Sequence, residues 1–363
     1  MSIKILHAAD FHLDSAFAGL SGAQAKLRRR ESRQLLERMS NYVNQNGVQI
    51  VLLAGDLFDG AATYRETIET LIDALASMST RVFIAPGNHD FYAARSPYAT
   101  LRWPENVHVF KTREIERVEL PELGCVVYGA AFTDAAQETS LLEGFVAPDD
   151  GLTHLMVLHG DLTAAEARYD PVTREQIAAS NLDYLALGHT HRFGGVETAG
   201  RTAYAYSGCP EGRGFDELDD KGFLCGTVEH DKVDIKFVPF AKRRYRILRV
   251  DVTGQTPEDA LRAVMPETAA SDLCRVIFTG ETDERGVDIK VIQERFAPDF
   301  FHLELRDETR MRQDIWAHAQ EDSLRGLFLR ELRGQYETAD EAGRRRVERA
   351  ARFGLAALDR RDL

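Results

Sequence analysis

The most constraining feature of this chain is a set of short apolar runs, each closing on Asp, Asn or His. Four pieces carry it: Ile3–Asp14 (IKILHAADFHLD), Ile50–Asp59 (IVLLAGDLFD), Val82–Asp90 (VFIAPGNHD), and the linked pair Leu158–Asp161 (LHGD) and Leu185–Arg192 (LALGHTHR). One Asp at a strand end is as readily a helix N-cap as a ligand, and most single histidines are structural. Five strand ends closing on the same residue types are not explained by capping. They predict a metal site assembled at the edge of a sheet.

The segments around these pieces alternate in period. Ile3–Ala9, Val48–Leu53 and Arg81–Ala85 read as strands, the second so uniformly apolar that it suits a buried parallel strand. Between them Lys26–Asn46 carries Leu35, Leu36, Met39, Tyr42 and Val43 in helical phase, and Tyr64–Met78 carries Ile68, Leu71, Ile72, Leu75 and Met78. Strand, helix, strand, helix, strand is the pattern of an α/β fold. Further strands are expected at Val107–Phe110, Cys125–Gly129, His154–Leu158 and Tyr184–Leu187, with a helix at Arg174–Ala179. A hairpin turning at His230-Asp231 (GFLCGTVEH, KVDIKFV) is expected to set a mainly β second layer against the first sheet.

The basic tract Phe240–Arg246 marks a boundary. Beyond it Tyr245–Val252, Pro257–Val264, Leu273–Thr279 and Val287–Gln293 read as β-α-β-β. Past about Phe301 strand character fades, while Asp322–Leu332 and Ala339–Leu358 are helical candidates. The expected domains are therefore residues 1–240, 245–300 and 301–363. The last, with little core of its own to join, either docks on a partner or packs back on its own chain.

Composition permits an enzyme of ordinary kind. The 363 residues are 44% hydrophobic and 28% charged, enough for one large core and a smaller domain. MSIKILHAADFH enters the first motif without room for a signal peptide, and no apolar stretch reaches membrane-spanning length. A cytoplasmic protein is expected. Cys125, Cys209, Cys225 and Cys274 form no CxxC pair and read as small core residues. A net charge of −13 excludes a uniformly basic nucleic-acid surface, though metals and local arginines can override it where phosphate sits.

The chemistry lies in the donors. Asp10 and His12 stand two apart, as do His189 and His191; Asp56 can bridge two cations through its two oxygens; Asn88 adds an amide oxygen and His159 an imidazole. Seven mixed oxygen and nitrogen donors suit two manganese, iron or zinc ions better than magnesium alone. Two such ions can activate water and clamp a phosphoryl group under in-line attack, so the predicted reaction is phosphodiester hydrolysis. His89 is left over to protonate the leaving oxygen or steady the phosphate, and Asp90 beside it to orient that ring.

The series DFH, AGDLFD, PGNHD, LHGD and GHTH resembles the calcineurin-like metallophosphoesterase superfamily. Within it, the tract YSGCPEGRGFDE and the chain length are most similar to DNA-repair exonucleases of the SbcD type and their YhaO-like relatives. The resemblance covers residues 1–240 and, more loosely, the remainder. It implies a two-sheet α/β sandwich with flanking helices, then a small α/β capping domain and a helical tail. It assigns Asp10, His12, Asp56 and His191 to one metal and Asp56, Asn88, His159 and His189 to the other, with Asp56 bridging and His89 as a catalytic non-ligand. It further implies two divalent ions, Mn²⁺ foremost, and action on DNA ends or single strands without base specificity. An SbcC-like coiled-coil ATPase docked on the tail and a homodimer are the implied partners. Phe11, where the nuclease group often has Trp, and Cys209, where Ser is more usual, are expected to touch no ligand.

Arg28-Arg29-Arg30, the Arg95–Arg102 segment, Arg213 and Lys242-Arg243-Arg244 are candidates for phosphate contacts or for plain solvated faces. Two other functions stay open. A phosphodiesterase for cyclic nucleotides or small diesters predicts a closed pocket. A mainly structural subunit of an ATPase complex predicts an eroded donor set, and every donor is present.

Overall fold

The computed structural model describes residues 2–60, 63–162, 168–283, 286–311 and 315–358. Its first elements are β1 (Ile3–Ala8), α1 (Gly22–Gln45), β2 (Ile50–Leu53), α2 (Arg65–Ala76), β3 (Arg81–Ile84), the single turn α3 (Pro97–Thr100) and β4 (Val107–Val109). β1 to β4 pair in parallel and in sequence order. Ser21 and Gln24 form a capping box that starts α1. The Leu35, Leu36, Met39 and Val43 stripe of α1 then packs with Leu71 and Leu75 of α2 on Leu6, Ala8, Val51, Leu53, Val82 and Ile84 of the sheet.

There follow β5 (Glu116–Leu120), β6 (Cys125–Gly129), β7 (Thr153–His159), α4 (Arg174–Ala179), β8 (Tyr184–Gly188), β9 (Glu197–Ala199) and β10 (Thr202–Tyr206). They build a second sheet in the order β5-β6-β7-β8-β10-β9, parallel inside and antiparallel at both edges. Side-chain alternation decides what each face meets. On β1 and β2, Ile3, Ile5, Ile50 and Leu52 point away from the helices and meet Val127, Leu155, Val157, Tyr184 and Ala186 of the second sheet. The far side of that sheet buries Met156, Leu158, Leu185 and Leu187 against Ile177 and Leu182. The result is an α/β sandwich of two mixed sheets flanked by helices, as expected. His7 of β1 ties the sheets together, with Nδ1 2.9 Å from the Tyr184 hydroxyl and Nε2 3.1 Å from the Leu187 carbonyl.

The hairpin of β11 (Gly222–Glu229) and β12 (Lys232–Pro239) forms where expected but is not a second layer. β11 pairs antiparallel with β1, so the hairpin extends the first sheet to β12-β11-β1-β2-β3-β4. The free edge of β1 carries backbone groups that need ladder partners, and β5 to β10 already supply the opposing layer.

Arg28 is not on a basic surface. It is fully buried, with Nη1 donating to Glu31 at 3.0 Å and Glu211 at 2.7 Å and Nη2 to the Gly212 carbonyl at 2.9 Å. Arg243 adds two 2.8 Å bonds to Glu31. Buried charge persists only when paired, so Arg28 and Arg243 belong to the interior and not to a phosphate-binding face.

Compactness divides the chain into one unit of residues 1–248, 266–275 and 295–304 and another of 249–265, 276–294 and 305–363. β13 (Tyr245–Asp251), α5 (Pro257–Val264) and β14 (Leu273–Thr279) appear as expected. After β15 (Glu281–Thr282), the expected strand at Val287–Gln293 does not form, and its residues from Ile289 onward are helical, within α6 (Ile289–Phe296). Ile292 and Phe296 are buried and Val291 is exposed; that helical spacing outweighs the β-branched content. The third strand is β16 (His302–Asp307), completing the order β13-β14-β16 in a stretch where charged neighbours hide a short alternation. β17 (Arg310–Met311) pairs in parallel with β15.

The tail consists of α7 (Leu324–Thr338) and α8 (Glu341–Leu358). Contrary to expectation, the tail has a core of its own: Ile315, Ala319, Leu329 and Ala351 are buried, with Trp316, Phe328, Leu332 and Leu355 packed around them. All four cysteines are buried free thiols. No helix among the described residues is long and apolar enough to cross a membrane.

Candidate metal centre

Parallel strands deliver their C-terminal ends to one edge, and polar groups collect there. Asp10 and His12 follow β1, Asp56 follows β2 and Asn88 follows β3; His159 ends β7, and His189 and His191 follow β8. Main-chain bonds lock these loops together. Asp10 N donates to Gly55 O at 3.0 Å and His12 N to Asp56 O at 2.9 Å; across the sandwich, His189 N donates to Asp10 Oδ1 at 3.0 Å. Glycine is required where the loops touch: a Cβ at Gly87 would strike the Asp56 carboxylate, and one at Gly188 the Ala54 carbonyl. Four donor residues hold left-handed backbone, Asp10 at φ 56°, His12 at 41°, Asp56 at 50° and His189 at 103°. That conformation is costly for non-glycine residues and collects at functional sites.

All seven predicted donors meet. Asp10, His12 and His191 offer donor atoms within 4.8 Å of one another, and so do Asp10, Asp56 and His159. Asp10 is common to both groups, and Asp56 Oδ2 lies within reach of both rings, 3.6 Å from His12 Nε2 and 3.5 Å from His159 Nε2. Asn88 Oδ1 lies 2.9 Å from His159 Nε2 and 3.3 Å from His189 Nδ1.

The protonation pattern fits cations. His12 Nδ1 faces Asp59 Oδ1 at 3.2 Å and His191 Nδ1 faces Glu217 Oε1 at 2.8 Å, so each ring carries its proton on Nδ1, toward a carboxylate. Their Nε2 atoms then present lone pairs to each other across 3.2 Å. Such an arrangement fits a cation, which His12 and His191 would hold through these nitrogens. Burial works against charge on Asp56, yet His159, His12 and His89 together hold its carboxyl below its ordinary value. Asp10 is pushed up by burial. Burial and the neighbouring His159 lower His189 to about 4, which keeps it neutral and able to donate a lone pair.

His89 is exposed. Its ring stands 4.9 Å from that of His12, edge to face, and its amide donates to Asp56 Oδ1 at 3.0 Å. Asp90 does not orient that ring by any described bond. Its buried carboxylate accepts from Phe58 N at 3.0 Å, Gly87 N at 2.9 Å and the Tyr98 hydroxyl at 2.6 Å. It shapes the loop that carries Asn88 and His89 by tying it through these three bonds to the neighbouring elements.

Three residues at the site were not read as part of it. Asp59 and Glu217 stand behind His12 and His191, and Arg213 joins the two carboxylates, with Nη1 3.3 Å from Asp59 and Nη2 2.7 Å from Glu217. Asp59 closes the AGDLFD piece, and the GRGFDE tract holds the other two, but no spacing signals which carboxylate backs which ring. Elsewhere, Asp183, His230 and Asp231 also cluster, but Arg201 lies 2.6 Å from Asp183 and 3.1 Å from Asp231, so that group is an ion pair.

Comparison with known proteins agrees with this geometry. YhaO of Bacillus subtilis (strain 168), an uncharacterized metallophosphoesterase, is 27% identical over 300 residues, 78% of this chain and 73% of its own. A component of the nuclease SbcCD from the same organism is 24% identical over 59% of this chain and 63% of its own. The DNA double-strand break repair protein Mre11 of Methanopyrus kandleri is 24% identical over 72% of this chain and 62% of its own. The chain thus matches less than two thirds of the length of these last two. Residues 3–193 match the calcineurin-like phosphoesterase family. That match spans more than half of the chain and every strand that carries a donor, and it makes this protein a member of the calcineurin-like phosphoesterase family, with the site of a metal-dependent phosphoesterase.

Proposed function

We propose that this protein hydrolyses phosphodiester bonds of DNA, at ends or in single strands, with two divalent cations of which manganese is the foremost. The observation that carries the reading is the meeting of seven oxygen and nitrogen donor residues, Asp56 among them, with an exposed imidazole, His89, beside them. In this reading Asp10, His12, Asp56 and His191 hold one ion, and Asp56, Asn88, His159 and His189 the other. Cations bound there supply Lewis acidity at a phosphoryl group and lower the pKa of water. His89, one ring edge from His12, presents an N–H to the leaving or non-bridging oxygen. Asp90 keeps that loop in place through Phe58, Gly87 and Tyr98.

DNA as the substrate is supported by the relatives' names, a nuclease component and a double-strand break repair protein, and by a site that opens outward: His89 is exposed, and His189 and His191 are only partly covered. Exposed Arg95 and Arg102 are available to backbone phosphate, which positions a strand without reading bases. A coiled-coil ATPase is the partner proposed for the tail, where Leu324, Leu327 and Phe353 stay exposed at 70%, 60% and 50%. The test is Mn²⁺-supported digestion of linear duplex and single-stranded DNA, with and without that ATPase. Cleavage of either supports the reading. Vigorous hydrolysis of small diesters with no cleavage of DNA under any of these conditions would overturn it in favour of a small-molecule phosphodiesterase.

A further inference from the structure

The two halves of the donor cluster are supported unequally. His12 and His191 each turn Nδ1 to a carboxylate, Asp59 at 3.2 Å and Glu217 at 2.8 Å. His159 turns Nδ1 to a neutral carbonyl, that of Ala54 at 2.9 Å. His189 Nε2 is 3.8 Å from Asp161 Oδ2, beyond hydrogen-bonding distance.

The two carboxylates behind His12 and His191 act as one piece because Arg213 joins them. Its Nη1 donates to Asp59 Oδ1 at 3.3 Å, and its Nη2 and Nε donate to Glu217 Oε1 at 2.7 and 3.2 Å. Nη2 also lies 2.9 Å from His191 Nδ1. Arginine offers only donors and keeps its charge, so of these two neighbours only Glu217 can accept the Nδ1 proton. Glu217 is 5% exposed, and its other oxygen accepts from Arg213 N at 2.7 Å. The Arg213 carbonyl accepts from the Tyr245 hydroxyl at 3.0 Å. The His191 carbonyl accepts from Lys221 Nζ at 2.9 Å. Both rings are thereby fixed in tautomer and angle, with Nε2 lone pairs meeting at 3.2 Å. A carboxylate behind an imidazole also raises the basicity of the nitrogen that faces the metal.

We propose that Asp59, Arg213 and Glu217 form a positioning brace that makes the cation position at His12 and His191 the tighter of two. The position at His159 and His189, backed by a carbonyl and a distant carboxylate, is the readily exchanged one. This rests on the two-cation reading above. Arg213 is in this view a support for ligands, not a contact for DNA.

The experiment is calorimetric titration of Mn²⁺ into the metal-free full chain, with folding monitored by circular dichroism. Wild type shows two resolved binding steps. Glu217→Ala weakens the tighter step by roughly 10- to 100-fold, the usual effect of removing a partner of a ligating histidine, and leaves the weaker step in place. Glu217→Gln, whose amide oxygen still accepts from Nδ1, falls between the two. Asp59→Asn, at a side chain 38% exposed, weakens the same step and carries the test if Glu217→Ala fails to fold. Two wild-type steps with neither moved by any variant, or with the weaker step moved instead, overturn the brace and spare the two-cation reading. A wild type that binds fewer than two ions overturns both.

Discussion

The backbone amide of His89 donates to Asp56 Oδ1 at 3.0 Å, while the His89 side chain stays exposed. The main chain of this residue therefore serves the central carboxylate, and its ring is left for substrate. His89→Ala removes only the ring. The expected outcome is unchanged manganese content by elemental analysis and a fall in phosphodiester hydrolysis of roughly 10²- to 10⁴-fold, the range for a lost acid or base. Loss of metal together with activity would make His89 a ligand.

Glu31 is the hub of the buried ion cluster. Arg28 and Arg243 both donate to it, and Lys242 Nζ lies 3.1 Å away. Burial opposes its charge, but bonds from Arg243 and Arg28 hold its carboxyl down to about 2. Removing one partner of a buried charge leaves the others uncompensated, so Glu31→Ala is expected to cost about 3–5 kcal/mol in urea unfolding. Lys242→Ala, at a half-exposed side chain, should cost less than about 1 kcal/mol. Equal effects would show that the cluster is not a buried unit.

His7 makes stability depend on pH. Burial drives its imidazole down to about 3, against the pull of the Leu187 carbonyl. The unfolded chain takes up that proton as pH falls below about 6.5. A neutral His7 therefore contributes its full stability above that value and loses it progressively as pH falls toward 3. At pH 5 the loss is about 2 kcal/mol, roughly 1.5 units at 1.36 kcal/mol each. His7→Gln cannot protonate, so the advantage of wild type over this variant should shrink by that amount between pH 7 and pH 5. A pH-independent difference in urea unfolding would contradict this.

Leu324 and Leu327 are exposed on α7, whereas Leu329 on the same helix is fully buried. A paired Leu324→Glu and Leu327→Glu change is expected to keep the melting temperature and the metal content but to abolish capture by the coiled-coil ATPase. Leu329→Glu should instead unfold the helix pair, since a carboxylate would enter a core without a partner. Undiminished capture by the paired variant, or no capture by either protein, would count against the proposed ATPase contact on this face.

Much of this molecule was legible from residue order because the signals are local. Strand ends are marked by apolar runs, and Asp10, His12, Asp56, Asn88, His159, His189 and His191 stand at or within a few residues of those ends, although their meeting needs the ends of two sheets to be packed together. Val287–Gln293 misled because β-branched residues fit either period, and only the burial of Ile292 and Phe296 distinguishes them. The hairpin after Tyr206 misled because its alternation says that it is half-buried, not which sheet it joins.

Residue order determined most of the elements, the donor types and their place at strand ends, since each depends on the period of a short segment and on where a strand stops. Tertiary structure alone decided that β11 covers β1 and that Arg28 is sealed between Glu31 and Glu211. It also decided that Asp59 and Glu217 stand behind His12 and His191 on either side of Arg213. The physical reason is separation along the chain. Glu211 lies 183 residues from Arg28 and Asp59 lies 154 from Arg213, and a contact made at that distance is created by the packing of whole sheets, with no local pattern to announce it.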